Sequence, residues 1–155
     1  MRNWIVILSL PLFALAACGT LEKQNLADNP LTIGVEVTNG QPTVDQPMAT
    51  FDSSQTRIVW TLGLGSFAFY GLPPNGIATG SGSSDPPPGC PVGNFDDAFG
   101  PCIASCNGGS GCFARSISCR PKAPARGTCY KYDVNVWSRF FGTPKPLDPW
   151  IKTNN

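Results

Sequence analysis

The sequence predicts an all-β fold, a β-sandwich that carries a cysteine-rich, loop-dominated insertion. Three observations point there. Apolar and polar residues alternate in several short runs beyond residue 30. Glycine and proline, 17 and 16 in number, are frequent enough to punctuate those runs as turns. Six of the seven cysteines crowd into the stretch from 90 to 129, where alternation is weakest.

Leu31, Ile33, Val35 and Val37 alternate with Thr32, Gly34, Glu36 and Thr38, the pattern of a half-buried strand. Asn39-Gly40 follows directly, and both residues tolerate positive φ, so a hairpin is expected. Thr43-Val44 starts the return strand, and Pro42 and Pro47 confine it to a short or edge position. Ile58, Trp60 and Leu62 form one face of the next strand, with Arg57, Val59 and Thr61 on the other. Phe67 and Phe69 continue the pattern after Gly63-Leu64-Gly65, and Ile77 marks a short strand after Pro73-Pro74-Asn75-Gly76. Tyr130, Tyr132, Val134 and Val136 alternate near the end. No helical period stands out. Trp137, Phe140, Phe141 and Trp150 are expected to close one end of the core, since aromatic side chains dominate small cores.

Residues 80–128 read as the insertion. A flexible Gly80–Ser84 and a stiff Asp85-Pro86-Pro87-Pro88 lead into Cys90, Cys102, Cys106, Cys112, Cys119 and Cys129. Phe95, Phe99, Ile103, Phe113 and Ile117 are few to bury, so the segment needs covalent support. Six cysteines in an exported chain imply three disulfides among fifteen possible pairings. Zinc sites normally use pairs two to four residues apart, twice. Only Cys102 and Cys106 have that spacing, so no metal site and no cofactor is expected. Asn107–Gly111 is glycine-rich but lacks the lysine of a phosphate loop.

The N-terminus carries an address. Arg2 precedes an apolar run from Trp4 to Leu15, too short to span a bilayer, which needs about 20 residues. Leu15-Ala16-Ala17-Cys18 resembles the lipobox of bacterial lipoproteins. The resemblance implies cleavage before Cys18, diacylglycerol on its thiol and attachment to a membrane. The alternative, an ordinary signal peptide cut after Ala17, would leave Cys18 a free thiol. Gly19 is not the aspartate that retains such proteins at an inner membrane, so the outer membrane is favoured, with the domain in the periplasm or at the surface. The organisation is then a signal over 1–17, a lipidated cysteine and tether over 18–30, and the folded part over 31–155. A tether of about 12 residues reaches roughly 40 Å when extended.

The strand set, from Ile33–Val37 through Ile58-Val59-Trp60 and Phe67-Ala68-Phe69 to Tyr130–Val134 and Asp148–Ile151, is similar to small exported bacterial domains with a cupredoxin-like, immunoglobulin-like sandwich. That resemblance implies a fold and no activity. A blue-copper site needs histidines, and the chain has none.

The lack of histidine also removes the usual base for a serine or cysteine nucleophile, and the chain is not expected to be an enzyme. Asp96-Asp97, the one adjacent carboxylate pair, reads as a turn former. Without Arg2, ten basic residues balance ten acidic ones, which excludes nucleic acid as a partner. Arg115, Arg120, Lys122 and Arg126 form a basic run available for partner contact, against the plainer reading of a solvated surface. The expected role is a membrane-anchored binding or structural module of the bacterial envelope, with an envelope protein or cell-wall polymer as partner. In it the insertion makes the contact and can be deleted without unfolding the sandwich. The alternative is a periplasmic metal-handling protein using the cysteine cluster.

Overall fold

The computed structural model describes residues 28–63, 65, 67–69, 76–80, 85–105 and 114–154. The signal, Cys18, most of the tether, Cys106, Cys112 and Phe113 lie outside the described residues.

Helix is confined to a single turn, and just over half of the described residues lie in strands. In order they are β1 (Pro30–Thr38), β2 (Gln41–Val44), β3 (Met48–Phe51), β4 (Arg57–Leu62), β5 (Phe67–Phe69), β6 (Ile77–Thr79), β7 (Val92–Gly93), β8 (Phe99–Ser105), β9 (Ser116–Pro121), β10 (Cys129–Val134), β11 (Val136–Ser138) and β12 (Trp150–Thr153). One four-residue helix, α1 (Phe95–Ala98), precedes β8. The first sheet has the order β2-β1-β4-β9-β8, the second β3-β12-β10-β6, and β11 and β5 form a two-stranded ribbon. The short β7 joins the second sheet in parallel with the start of β10.

The hairpin reading holds. Asn39 and Gly40 have φ of 52° and 75°, and β2 returns along β1 with Thr38 opposite Gln41. β2 is an edge strand, as Pro42 requires, because its missing N–H would break a central ladder. Beyond the hairpin, local pattern is no guide. β1 pairs in parallel with β4, Leu31 opposite Ile58 and Ile33 opposite Trp60, and β12 pairs in parallel with β3.

One apolar core draws on both larger sheets. Leu31, Ile33, Val35, Ile58, Trp60, Leu62 and Ile117 come from the first; Phe51, Ile77, Tyr130, Tyr132, Val134 and Ile151 come from the second. Phe95 of α1 lies among them, 6.1 Å from the Trp60 ring and 5.1 Å from Phe99. Each such fully buried aromatic contributes about 1.5–3 kcal/mol.

Two expectations are corrected. The segment 80–128 is not loop-dominated among its described residues. β8 and β9 are full members of the first sheet, and Phe95, Phe99 and Ile117 are buried; of the described apolar residues singled out there only Ile103 is exposed. Deleting the segment would remove β7, β8 and β9 and the core residues Phe95, Ala98, Phe99, Ala114, Ile117 and Cys119, so it is not a detachable contact surface. Its strands escape a periodicity reading because Gly100, Pro101 and Cys102 interrupt β8, where the register shifts between Phe99 and Cys102. The second correction concerns the C-terminal aromatics. Trp150 is buried, but Phe140 and Phe141 are 78% and 69% exposed. They occupy a tight turn, and a turn projects its middle residues away from the sheet that it closes.

Candidate functional site

β1 and β4 run the same way, so Thr38 and Leu62 finish at one end of the molecule. β9 runs against β4 and begins there, with Arg115 just before it. The Leu62 N–H donates to the Arg115 carbonyl at 2.8 Å. Between the strand ends opens a cleft of about 300 Å³, lined by Glu36, Val37, Thr38, Leu62, Gly63, Gly65 and Phe67. Glu36 sits on the solvent side of the alternating strand, as its position predicts, and among the described residues its carboxylate has no hydrogen-bond or ion-pair partner.

Arg115 shapes one wall. Its guanidinium donates to the carbonyls of Gly63 at 2.8 Å, Phe67 at 2.9 Å and Gly65 at 3.0 Å. The planar fork of donors suits this task and a lysine could not perform it. The contact joins residues about 50 apart in sequence, and no local signal could have announced it.

The aromatic turn adjoins the cleft. Ser138 and Gly142 exchange two backbone hydrogen bonds of 2.9 Å, and Gly142 takes a φ of 70° that the tight turn requires. Phe141 then stacks on Phe67 with ring centroids 5.6 Å apart and planes at 13°. At that spacing parallel rings overlap only in part, which leaves aromatic face open.

The basic run does not form one patch. Arg115 is engaged at the cleft end, and Arg120 lies about five residues along β9, roughly 17 Å away. Arg120 lines a shallow depression with Asp28, Thr56 and Arg57, where Asp28 and Arg57 are ion-paired. Lys122 donates to the Asp96 carbonyl at 2.8 Å, and Arg126 is exposed in the turn before β10. Asp96 and Asp97 occupy the first turn of α1, capped by Asn94, whose side chain accepts from the Asp97 N–H at 3.2 Å. Asp96 also accepts from the Thr79 hydroxyl at 2.9 Å. The sequence reads the pair as a turn former, and the structure places it instead in a single helical turn.

Two disulfides are formed among the described residues. Cys102 and Cys119 are direct cross-strand partners on β8 and β9, with Cα atoms 4.1 Å apart. Cys90 joins Cys129 at the start of β10, with Cα atoms 5.7 Å apart. Four of the six clustered cysteines are thereby consumed. Among the described residues no three His, Cys, Asp or Glu side chains gather into a metal-binding group. No described helix is long and apolar enough to cross a membrane.

Two titrating groups are perturbed. The side-chain hydroxyl and backbone N–H of Ser54 hold the exposed Asp52 carboxyl below its ordinary value. Burial pushes the Tyr132 phenol up. The Trp60 indole N–H opposes that rise, but neither it nor the phenol oxygen has a partner at hydrogen-bond geometry among the described residues. The chain matches no known protein family and no curated protein.

Proposed function

We propose that the chain is a lipid-anchored binding or structural module of the bacterial cell envelope, held on a membrane through Cys18. Its two larger sheets form an immunoglobulin-like or cupredoxin-like sandwich, and the partner is met at the cleft end. The observation that carries this reading is polarity. The tether joins at Pro30, the first residue of β1, whereas the cleft and the aromatic turn stand where β1 ends. Nine strand residues separate the two ends, which is about 30 Å. With the tether extended, the cleft stands up to roughly 70 Å from the lipid. An exposed Phe pair on a hydrogen-bonded turn, far from the anchor, is apolar surface placed for contact with something other than the anchoring membrane.

Two measurements test the reading. Replacing Cys18 with Ala is expected to move the protein from the membrane fraction to the soluble envelope fraction and to abolish palmitate labelling. A photo-crosslinker placed at Phe141 is expected to capture an envelope component in cells, and one placed at Ser54, beside the tether, to capture none. A Cys18→Ala chain that stays in the membrane fraction would refute the anchor. Equal capture from both positions would refute the polarity.

A further inference from the structure

We infer that the cleft between Glu36 and Phe67 binds an uncharged sugar ring of a glycan chain, with Phe141 extending the platform on which the ring lies. This rests on the reading of the cleft end as the contact surface and names the ligand class.

The lining has the two faces that a sugar needs. A hexose presents C–H groups on its flat faces and hydroxyls around its edge. Phe67 and the partly overlapping Phe141 supply an open aromatic face for the first. Glu36 supplies two carboxylate oxygens for the second, both without a partner among the described residues, and Thr38 adds a hydroxyl. Hydrogen bonds to an ionised acceptor are about twice as strong as neutral ones. The volume, about 300 Å³, lies at the small end of ligand sites and suits a ring or two with the chain running out into solvent.

Charge narrows the choice. Glu36 is the one charged side chain among the described lining residues and its negative charge disfavours an acidic sugar, while the Arg115 guanidinium is committed to the wall formed by the carbonyls of Gly63, Gly65 and Phe67. The same guanidinium fixes three carbonyls of that wall before any ligand arrives, and pre-organised walls lower the ordering cost of binding. A membrane fits less well, because the lining is polar on one side and stands away from the anchor.

The test is calorimetric titration of the full mature chain, purified in detergent, with the tetramer of N-acetylglucosamine and with cellotetraose. Saturable binding of at least one, at about 1 mM or tighter, is expected. Phe141→Ala, a change at an exposed ring outside the core, should weaken binding about fivefold. Glu36→Gln, also exposed, should weaken it about tenfold. Arg126→Ala, at the far end, should leave it unchanged. No saturable binding of either tetramer up to about 10 mM overturns the proposal, as does binding that Phe141→Ala and Glu36→Gln leave intact. If glycan binding fails while the crosslinker at Phe141 still captures an envelope component, the sugar assignment falls and the broader reading stands.

Discussion

Removing the two disulfides one at a time should destabilise the protein unequally, because one loop lies inside the other. Cys90–Cys129 closes 39 residues and Cys102–Cys119 closes 17 within them. A crosslink restricts the unfolded chain by an amount that grows with the logarithm of the loop it closes. Alone, the inner bridge contributes about 3.1 kcal/mol and the outer one about 3.9 kcal/mol at 25 °C. With the inner bridge intact, subtracting 17 from 39 leaves an outer loop of about 22 residues, worth roughly 3.4 kcal/mol. Thermodynamic closure then assigns about 2.6 kcal/mol to losing the inner bridge while the outer one remains, and roughly 6.5 kcal/mol to losing both. Native-state packing does not reverse the order, since Cys119 and Cys129 are both fully buried. The ladder between β8 and β9 already holds Cys102 opposite Cys119, so the inner bridge acts mainly on the unfolded state. The assay is equilibrium urea unfolding of the Cys90→Ala/Cys129→Ala and Cys102→Ala/Cys119→Ala variants under oxidising conditions, followed by tryptophan fluorescence. The outer variant should lose more. The variant lacking both should be largely unfolded without denaturant if total stability lies near the low end of the usual 5–15 kcal/mol, about 5–7. An inner variant weaker than the outer one by more than about 1 kcal/mol would refute the nested-loop reasoning, as would a doubly reduced chain losing less than about 3 kcal/mol.

Four further outcomes are expected. Tyr132→Phe removes a buried hydroxyl that has no partner, so stability should hold or rise by about 1 kcal/mol; a loss above about 1 kcal/mol in urea unfolding would mean that the hydroxyl is bonded after all. Arg115→Ala frees three carbonyls and should speed amide exchange at Gly63, Gly65 and Phe67 while β10 keeps its protection; uniform exchange changes would contradict a local clamp. The Asp52 carboxyl is held below 3.8, so the unfolded chain binds its proton first as pH falls. Its stabilisation is therefore full above that value and lost as pH drops through the lower folded one. Ser54→Ala should lower the melting temperature slightly at pH 5–7 and shrink the acid-side loss, so that its melts converge with those of the unaltered chain near pH 2; a difference that persists at pH 2 would contradict the linkage. With Cys90, Cys102, Cys119 and Cys129 paired, the three-bridge expectation leaves Cys106 only Cys112, so the unreduced mature chain should show no free thiol by alkylation and intact mass.

What the sequence could reveal, and what it could not, divides by range. Leu31 to Val37 announce a strand because side chains alternate across any strand, whatever lies beside it. Asn39-Gly40 announces its hairpin because positive φ is a property of those two residues. Asp96-Asp97 announces a local turn, but that the turn is helical depends on the Asn94 cap and on burying Phe95 and Ala98. By contrast, the parallel pairing of β1 with β4 depends on where the chain returns after two intervening strands. The membership of β8 and β9 in the first sheet was hidden by glycine, proline and cysteine, whose presence suggested loops. Phe140 and Phe141 resemble core residues by chemistry, and only the Ser138–Gly142 turn puts them outside.

The β character of the chain, the hairpin, the lack of histidine chemistry and the near balance of charge could all be read in the residues themselves. These follow from residue type and short-range geometry alone. Tertiary structure decided which cysteines meet, that the cysteine-rich segment belongs to the core, and that Arg115 braces a cleft beside an exposed aromatic turn. Each of those joins residues far apart in the chain, and their proximity is set by packing both sheets around one core rather than by any neighbour in sequence.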